Sequence, residues 1–123
     1  MEWTKNDNTY TPSDNVKGIV YIMTLNDHWY IGKKTIRDNK GRETKWKSYM
    51  GSGKSWLEYI SGNEDKVRRE VLYECANKVE LAFWEDYELH TRFAVWDPNS
   101  FNGNISMLVN GRNSKNFHNK DII

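Results

Sequence analysis

Apolar and polar positions follow a strand-like rhythm most clearly in two neighbouring runs. Residues 18–25 carry Ile19, Val20, Ile22 and Met23, and a second run follows at Trp29, Tyr30 and Ile31. Such β-branched and aromatic runs suit strands. Between them, Asn26-Asp27 is a pair that tolerates the positive φ of a two-residue hairpin turn. Gly18 and Gly32 bracket the unit. Each strand carries one tyrosine, Tyr21 and Tyr30, so folding about the turn sets two phenols close together. Taken alone, both read as ordinary half-buried strand residues.

The pattern changes period further along. Ser55-Trp56-Leu57-Glu58 has the form of a capping box, and Trp56, Leu57 and Ile60 give a short helix an apolar face ending at Gly62-Asn63. Residues 66–75 alternate again. Val67, Val71, Tyr73 and Cys75 fall on one side and Arg68, Glu70 and Glu74 on the other, with Arg69 and Leu72 out of step. This reads as a third strand with one solvated face. Asn77-Lys78-Val79-Glu80 then caps a helix reaching to about His90. Within it Leu81, Glu85 and Leu89 follow at four-residue steps, so Glu85 shares a stripe with two leucines. A carboxylate there is costly unless paired or metal-bound. A metal ligand and a stripe-edge partner of an arginine both fit that position. After a turn at Asp97-Pro98-Asn99 come Phe101-Asn102-Gly103 and a last apolar segment, Ile105 to Val109. Residues 1–17 are polar, include Pro12 and read as an arm, and residues 110–123 read as a polar tail. The expected domain is 18–109.

Composition narrows the class. The 123 residues are 37% hydrophobic and 14% aromatic, too rich in large rings for a disordered chain and enough for one modest core. The single cysteine, Cys75, excludes an internal disulfide and fits a reducing, cytoplasmic setting. No run has the length of a membrane span, and the N-terminus does not read as a secretion signal. The histidines, His28, His90 and His118, lack metal-ligand spacing.

A net charge of +1 conceals an uneven distribution. Residues 33–47 hold seven Lys or Arg against Asp38 and Glu43, while Glu80, Glu85, Asp86 and Glu88 cluster later. That opposition suits a protein that grips phosphates while holding a cation, though solvated surfaces also show it. Asp38-Asn39-Lys40-Gly41 is a turn signal, so the basic segment reads as a loop or a broken helix. From Trp46 to Lys54, aromatic, basic and small residues interleave as in nucleic-acid backbone contacts. Arg37, Arg42, Lys45, Trp46, Lys47 and Lys54 are the candidate DNA-binding residues. Gly53-Lys54-Ser55 is not a nucleotide-binding loop, because the glycine required five positions earlier is Ser48.

Gly18-Ile19-Val20-Tyr21 with Tyr30-Ile31-Gly32 resembles the paired signature of the GIY-YIG nuclease superfamily, with one extra residue before the first tyrosine. Tyr-Ile-Gly-Lys-Lys followed by Trp46-Lys47-Ser48-Tyr49-Met50-Gly51-Ser52 is similar to the small single-domain bacteriophage-type members. The resemblance spans about residues 18–105. It implies an α/β (α+β) fold, a small antiparallel three-stranded sheet flanked by helices. It also implies a metal-dependent DNA endonuclease, with Tyr21 as general base supported by Tyr30, and Glu85 as ligand to Mg²⁺ or Mn²⁺. Asn102 falls at the family's structural Asn. The family's usual arginine has no single counterpart; Lys34, Arg37, Arg42, Lys45 and Lys47 compete. Lys34 with Tyr49 as aromatic partner is the expected assignment. The substrate implied is double-stranded DNA, with a homodimer one route to cutting both strands. An inactive DNA-binding or interaction module of the same fold, or an RNA-directed nuclease, are the alternative readings.

Overall fold

The computed structural model describes residues 1–103. The apolar segment Ile105 to Val109 and the tail 110–123 lie outside the described residues. Five strands and two helices occur in the order β1 (Trp3–Lys5), β2 (Asn8–Thr9), β3 (Gly18–Leu25), β4 (His28–Thr35), α1 (Lys54–Ile60), β5 (Arg68–Cys75) and α2 (Lys78–Thr91). They form one mixed sheet of order β2-β1-β5-β3-β4. The expected β3–β4 hairpin is present, with Leu25 paired to His28 and Asn26 at φ 56°. β5 pairs antiparallel with β3 on its other side.

The expectation of three antiparallel strands is corrected by the N-terminal arm. Residues 3–9 add a small hairpin, and its first strand runs parallel to β5 through Trp3–Arg69 and Thr4–Glu70 pairs. Asn6 and Asp7 both take positive φ (52° and 68°), the two-residue turn that matches the twist of paired strands. Strands this short show no periodicity. Their signal is instead Trp3, Tyr10 and Val16, all buried within an otherwise polar stretch. Glu74 on β5 clamps the arm by accepting from the Tyr10 hydroxyl (2.7 Å), the Ser13 amide (2.9 Å) and the Ser13 hydroxyl (2.8 Å).

A second correction concerns β5. Val20 pairs with Tyr73 but Tyr21 with Val71, leaving Leu72 as an extra residue in the ladder. This bulge transfers the following residues to the opposite face. Val67 and Val71 therefore join Ile19, Tyr21, Met23, Trp46 and Trp56 in one core cluster. Tyr73 and Cys75 join Val20, Ile31, Leu81 and Leu89 in the other. α1 packs on the first face through Trp56 and Ile60, and α2 covers the second through Leu81 and Leu89.

α2 is close to expectation, whereas α1 buries Trp56 and Ile60 but leaves Leu57 exposed. Asn77 caps α2 by accepting from the Glu80 amide at 2.9 Å. α1 has Gly53, not Ser55, at its cap position and no side-chain cap. A Cβ on Gly53 would stand 2.9 Å from the Tyr30 ring, so close approach of the loop decides the residue there. Between β4 and α1, the Asp38–Arg42 turn and a single 3₁₀ turn at Trp46–Ser48 match the broken path expected of the basic segment.

Candidate active site

The site is organised around β4, an edge strand of the sheet. An open edge exposes unpaired backbone groups and is normally covered. Here residues 99–102 cover it. The Trp29 amide donates to the Asn99 carbonyl (3.0 Å), and the Phe101 amide donates to the Trp29 carbonyl (2.9 Å). Asn102 continues the cover with its side chain. Its Oδ1 accepts from the Ile31 amide (2.9 Å) and its Nδ2 donates to the Ile31 carbonyl (2.7 Å). Further along, the Thr44 hydroxyl donates to the Thr35 carbonyl at 2.6 Å. Outward-facing backbone groups alternate along an edge strand, so Lys33 is the next after Ile31. Among the described residues no group bonds its amide.

Gly32 lies beside this opening, and Tyr21 is its cross-strand partner on β3. The Tyr21 hydroxyl fills the space where a side chain on Gly32 would stand; a Cβ there would sit 2.7 Å from the phenol carbon Cζ. Tyr21 is fully buried, and its hydroxyl makes no hydrogen bond of full geometry among the described residues, the Tyr49 hydroxyl interacting with it only weakly. Trp3 and Tyr49 each meet its ring edge-on, at centroid distances of 5.4 and 5.9 Å, and Tyr30 lies 6.4 Å away. Burial pushes its ionisation far above the ordinary phenol range, and the neighbouring Tyr49 and Tyr30 phenols and the charge of Glu85 add to that. Tyr30 is stacked on Trp56 (5.8 Å, 11°), with its hydroxyl 3.2 Å from Ser52 Oγ.

Two consecutive lysines straddle the strand. Lys34 pairs across to Ile19 on the Tyr21 face, and its ammonium stands 4.7 Å from the centre of the Tyr49 ring. Lys33 pairs across to Val20 on the α2 face and meets Glu85 at 3.5 Å. The Glu85 side chain is 18% exposed. Burial raises its carboxyl above the usual range, Lys33 partly offsets this, and Asp86 adds to it. The stripe position read in the sequence therefore holds a carboxylate whose ion-pair partner is a lysine, not an arginine. Among the described residues no three His, Cys, Asp or Glu side chains cluster as a metal cage. Glu88, one turn along, is committed to Tyr73 (3.0 Å) and Arg92 (2.9 Å).

Tyr21, Lys34 and Tyr49 thus gather on one face of β4 at Gly32, with Tyr30 beside Tyr21, and Glu85 meets Lys33 on the other face, while Asn102 orders the strand between them. Lys45 and Lys47 are exposed in the loop before α1, and Lys54 is exposed at its first position. The remaining candidates have other partners. Arg37 donates to the Ser13 and Val16 carbonyls (3.0 and 2.8 Å), tying down the arm, and Arg42 pairs with Asp38 (3.0 Å). Trp46 is 2% exposed, with its indole N–H on Glu43, so it has no open ring face for a base. Sequence reasoning passed over Lys33, one of seven cations in its segment, and Arg69. Arg69 is buried and donates to the Lys47 (2.8 Å), Tyr49 (3.0 Å) and Met1 (2.6 Å) carbonyls, anchoring the loop that bears Tyr49. Its signal was the break in the alternation of β5.

A family model described as "Putative endonuclease segE, GIY-YIG domain" matches residues 3–105. No curated protein and no solved structure matches the chain. That match begins at Trp3, where the first strand of the sheet begins.

Proposed function

The chain belongs to the GIY-YIG endonuclease family, and we propose that it hydrolyses phosphodiester bonds in double-stranded DNA. The observation that carries this reading is the Tyr21 hydroxyl, buried and unbonded behind Gly32 at the uncovered stretch of the β4 edge. An orphaned buried hydroxyl is unfavourable and calls for an explanation. A role toward a bound substrate supplies one. A phosphate presented at the Lys33 amide meets ammonium groups from both sides of the strand. Lys34 offsets charge that builds on the phosphoryl oxygens, with the Tyr49 ring fixing its direction. Tyr21 accepts a proton from the attacking water. In the free protein burial keeps this phenol protonated, so its ionisation belongs to the loaded site, where positive charge has gathered around it.

Glu85 is the residue that would hold Mg²⁺ or Mn²⁺. Hard cations of this kind take one or two carboxylates and keep several waters, and Glu85 is a partly desolvated carboxylate opposed by one lysine. A cation held there would supply Lewis-acid polarisation of the scissile phosphate and charge stabilisation for the leaving oxygen. Lys33, the present partner of Glu85 at 3.5 Å, would be the nearby ammonium for the phosphate.

The test is nicking of supercoiled plasmid with and without Mg²⁺, repeated with Glu85→Ala. Nicked circles should appear before linear product, because one such site cuts one strand at a time. Complete inertness toward DNA with either Mg²⁺ or Mn²⁺ would sink the proposal in favour of a binding module. Cleavage of RNA alone would reassign the substrate.

A further inference from the structure

We propose that the cleft between β4 and the first turn of α2 seats a second phosphate of the bound strand, adjacent to the one attacked, with Lys78 as its principal contact. This rests on the nuclease reading above and extends it to residues outside the family signature. The cleft has a volume of about 370 Å³ and is lined by Lys33, Lys34, Thr35, Tyr49, Lys78 and Leu81. Three lysines therefore line one concavity, two from consecutive positions of β4 and one from the start of α2. Among the described residues, the ion pair at these three lysines is Lys33 with Glu85. The other two, Lys34 and Lys78, line the cleft with an apolar wall of Leu81 and Tyr49 and are like charges that an anion between them would stabilise.

The backbone brings them together deliberately. Gly18, at the start of β3, touches both the Lys34 carbonyl and the Leu81 side chain, since a Cβ there would lie 2.8 Å from each. Absence of that side chain lets the first turn of α2 close on the strand and carries Lys78 toward Lys34. The helix terminus itself is already satisfied by Asn77, so the attraction comes from the lysines. The cleft shares Lys33, Lys34 and Tyr49 with the active site. A strand placed with one phosphate at the Lys33 amide therefore leads its next phosphate toward Lys78.

Binding of a short DNA duplex is measured against salt in metal-free buffer for wild type, Lys78→Ala, Lys78→Arg and, as control, Lys66→Ala, an exposed lysine of the turn before β5 that does not line the cleft. Lys78→Ala should lower the log–log salt slope by about one unit, while Lys78→Arg and Lys66→Ala keep it. Duplexes carrying a single neutral methylphosphonate are then compared, with the replacement stepped through the phosphates flanking the cut. One position should weaken wild-type binding about tenfold yet cost Lys78→Ala nothing further, the non-additivity expected of direct partners. If the two losses multiply at every position, or the salt slope of Lys78→Ala equals that of wild type, the cleft is not a phosphate seat. A Lys78-dependent slope in a protein that nicks no DNA would uphold the cleft and overturn the nuclease reading.

Discussion

Tyr21 carries two opposed consequences of one placement. Its hydroxyl is buried without a hydrogen bond of full geometry, so removing it should relieve an unsatisfied polar group. Tyr21→Phe should therefore melt at or above the wild-type midpoint while losing plasmid nicking by at least about a hundredfold, the usual scale of general-base catalysis. Near-normal nicking would move the base role elsewhere; a lowered midpoint would mean that the hydroxyl has a structural partner. Because burial holds the phenol protonated well past neutrality, its ionised fraction grows about tenfold per pH unit. Single-turnover cleavage at saturating metal should accordingly climb between about pH 7 and 9. A plateau starting near neutral pH would mean that the loaded site has already ionised the phenol, and a rate that falls over this range would exclude Tyr21 as the base. Glu85 has the reverse problem, a charge where the neutral form is favoured. Its folded ionisation lies above the unfolded one, chiefly through burial. Its stabilising contribution is therefore full below the unfolded value and lost as pH rises through the folded one. Metal-free Glu85→Gln should melt higher than wild type at neutral pH and nearly equal to it near pH 4, about the unfolded value.

At the level of elements, β4 is an edge strand kept orderly by a side chain. Asn102 imitates a neighbouring strand at Ile31, donating and accepting as a peptide unit would. Asn102→Ala leaves both backbone groups without that partner in a largely buried setting. The expected loss is about 2 kcal/mol, with faster hydrogen exchange at the Ile31 amide. Unchanged exchange there would mean that residues 99–101 hold the edge alone. The bulge at Leu72 has a comparable role on the other side of β3. It lets β5 present Val71 beneath Tyr21 while Tyr73 and Cys75 face α2. One strand thereby supports both halves of the site.

For the whole molecule, the N-terminal arm closes the side of the sheet remote from β4. Trp3 packs edge-on against Tyr21, and Arg69 beneath it holds the backbone that carries Tyr49. The arm is clamped by Glu74. Burial would raise this carboxyl, but the Ser13 amide and the Tyr10 and Ser13 hydroxyls outweigh that and hold it below the usual range. The sign is opposite to that of Glu85. Stability from Glu74 is present above the unfolded value and disappears as pH falls through the folded one. Glu74→Gln should therefore melt below wild type at neutral pH, and the difference should close on acidification. A constant difference across that range would mean that shape, not charge, secures the arm.

Local chemistry made part of this legible without coordinates. Asn26-Asp27 between two β-branched runs determines the hairpin, because few residue pairs accept that turn. Asn77 and the four-residue spacing of Leu81, Glu85 and Leu89 determine α2 and mark its unusual carboxylate. The glycines and tyrosines of the hairpin carry the family resemblance. What stayed hidden depends on partners distant in the chain. Strands of two or three residues have no period to read, so β1 and β2 exist only because Trp3 finds the core and Thr4 finds β5. The bulge at Leu72 reverses the faces of β5, an outcome decided by pairing with β3. Basic side chains look alike in sequence; only tertiary structure turns Arg37 to the arm, Arg69 inward and Lys33 onto Glu85. Trp46 is core and not surface because Trp3 and Tyr10 close over it, 43 and 36 residues away in sequence. Charge and aromaticity are properties of a residue, but burial is a property of its neighbours.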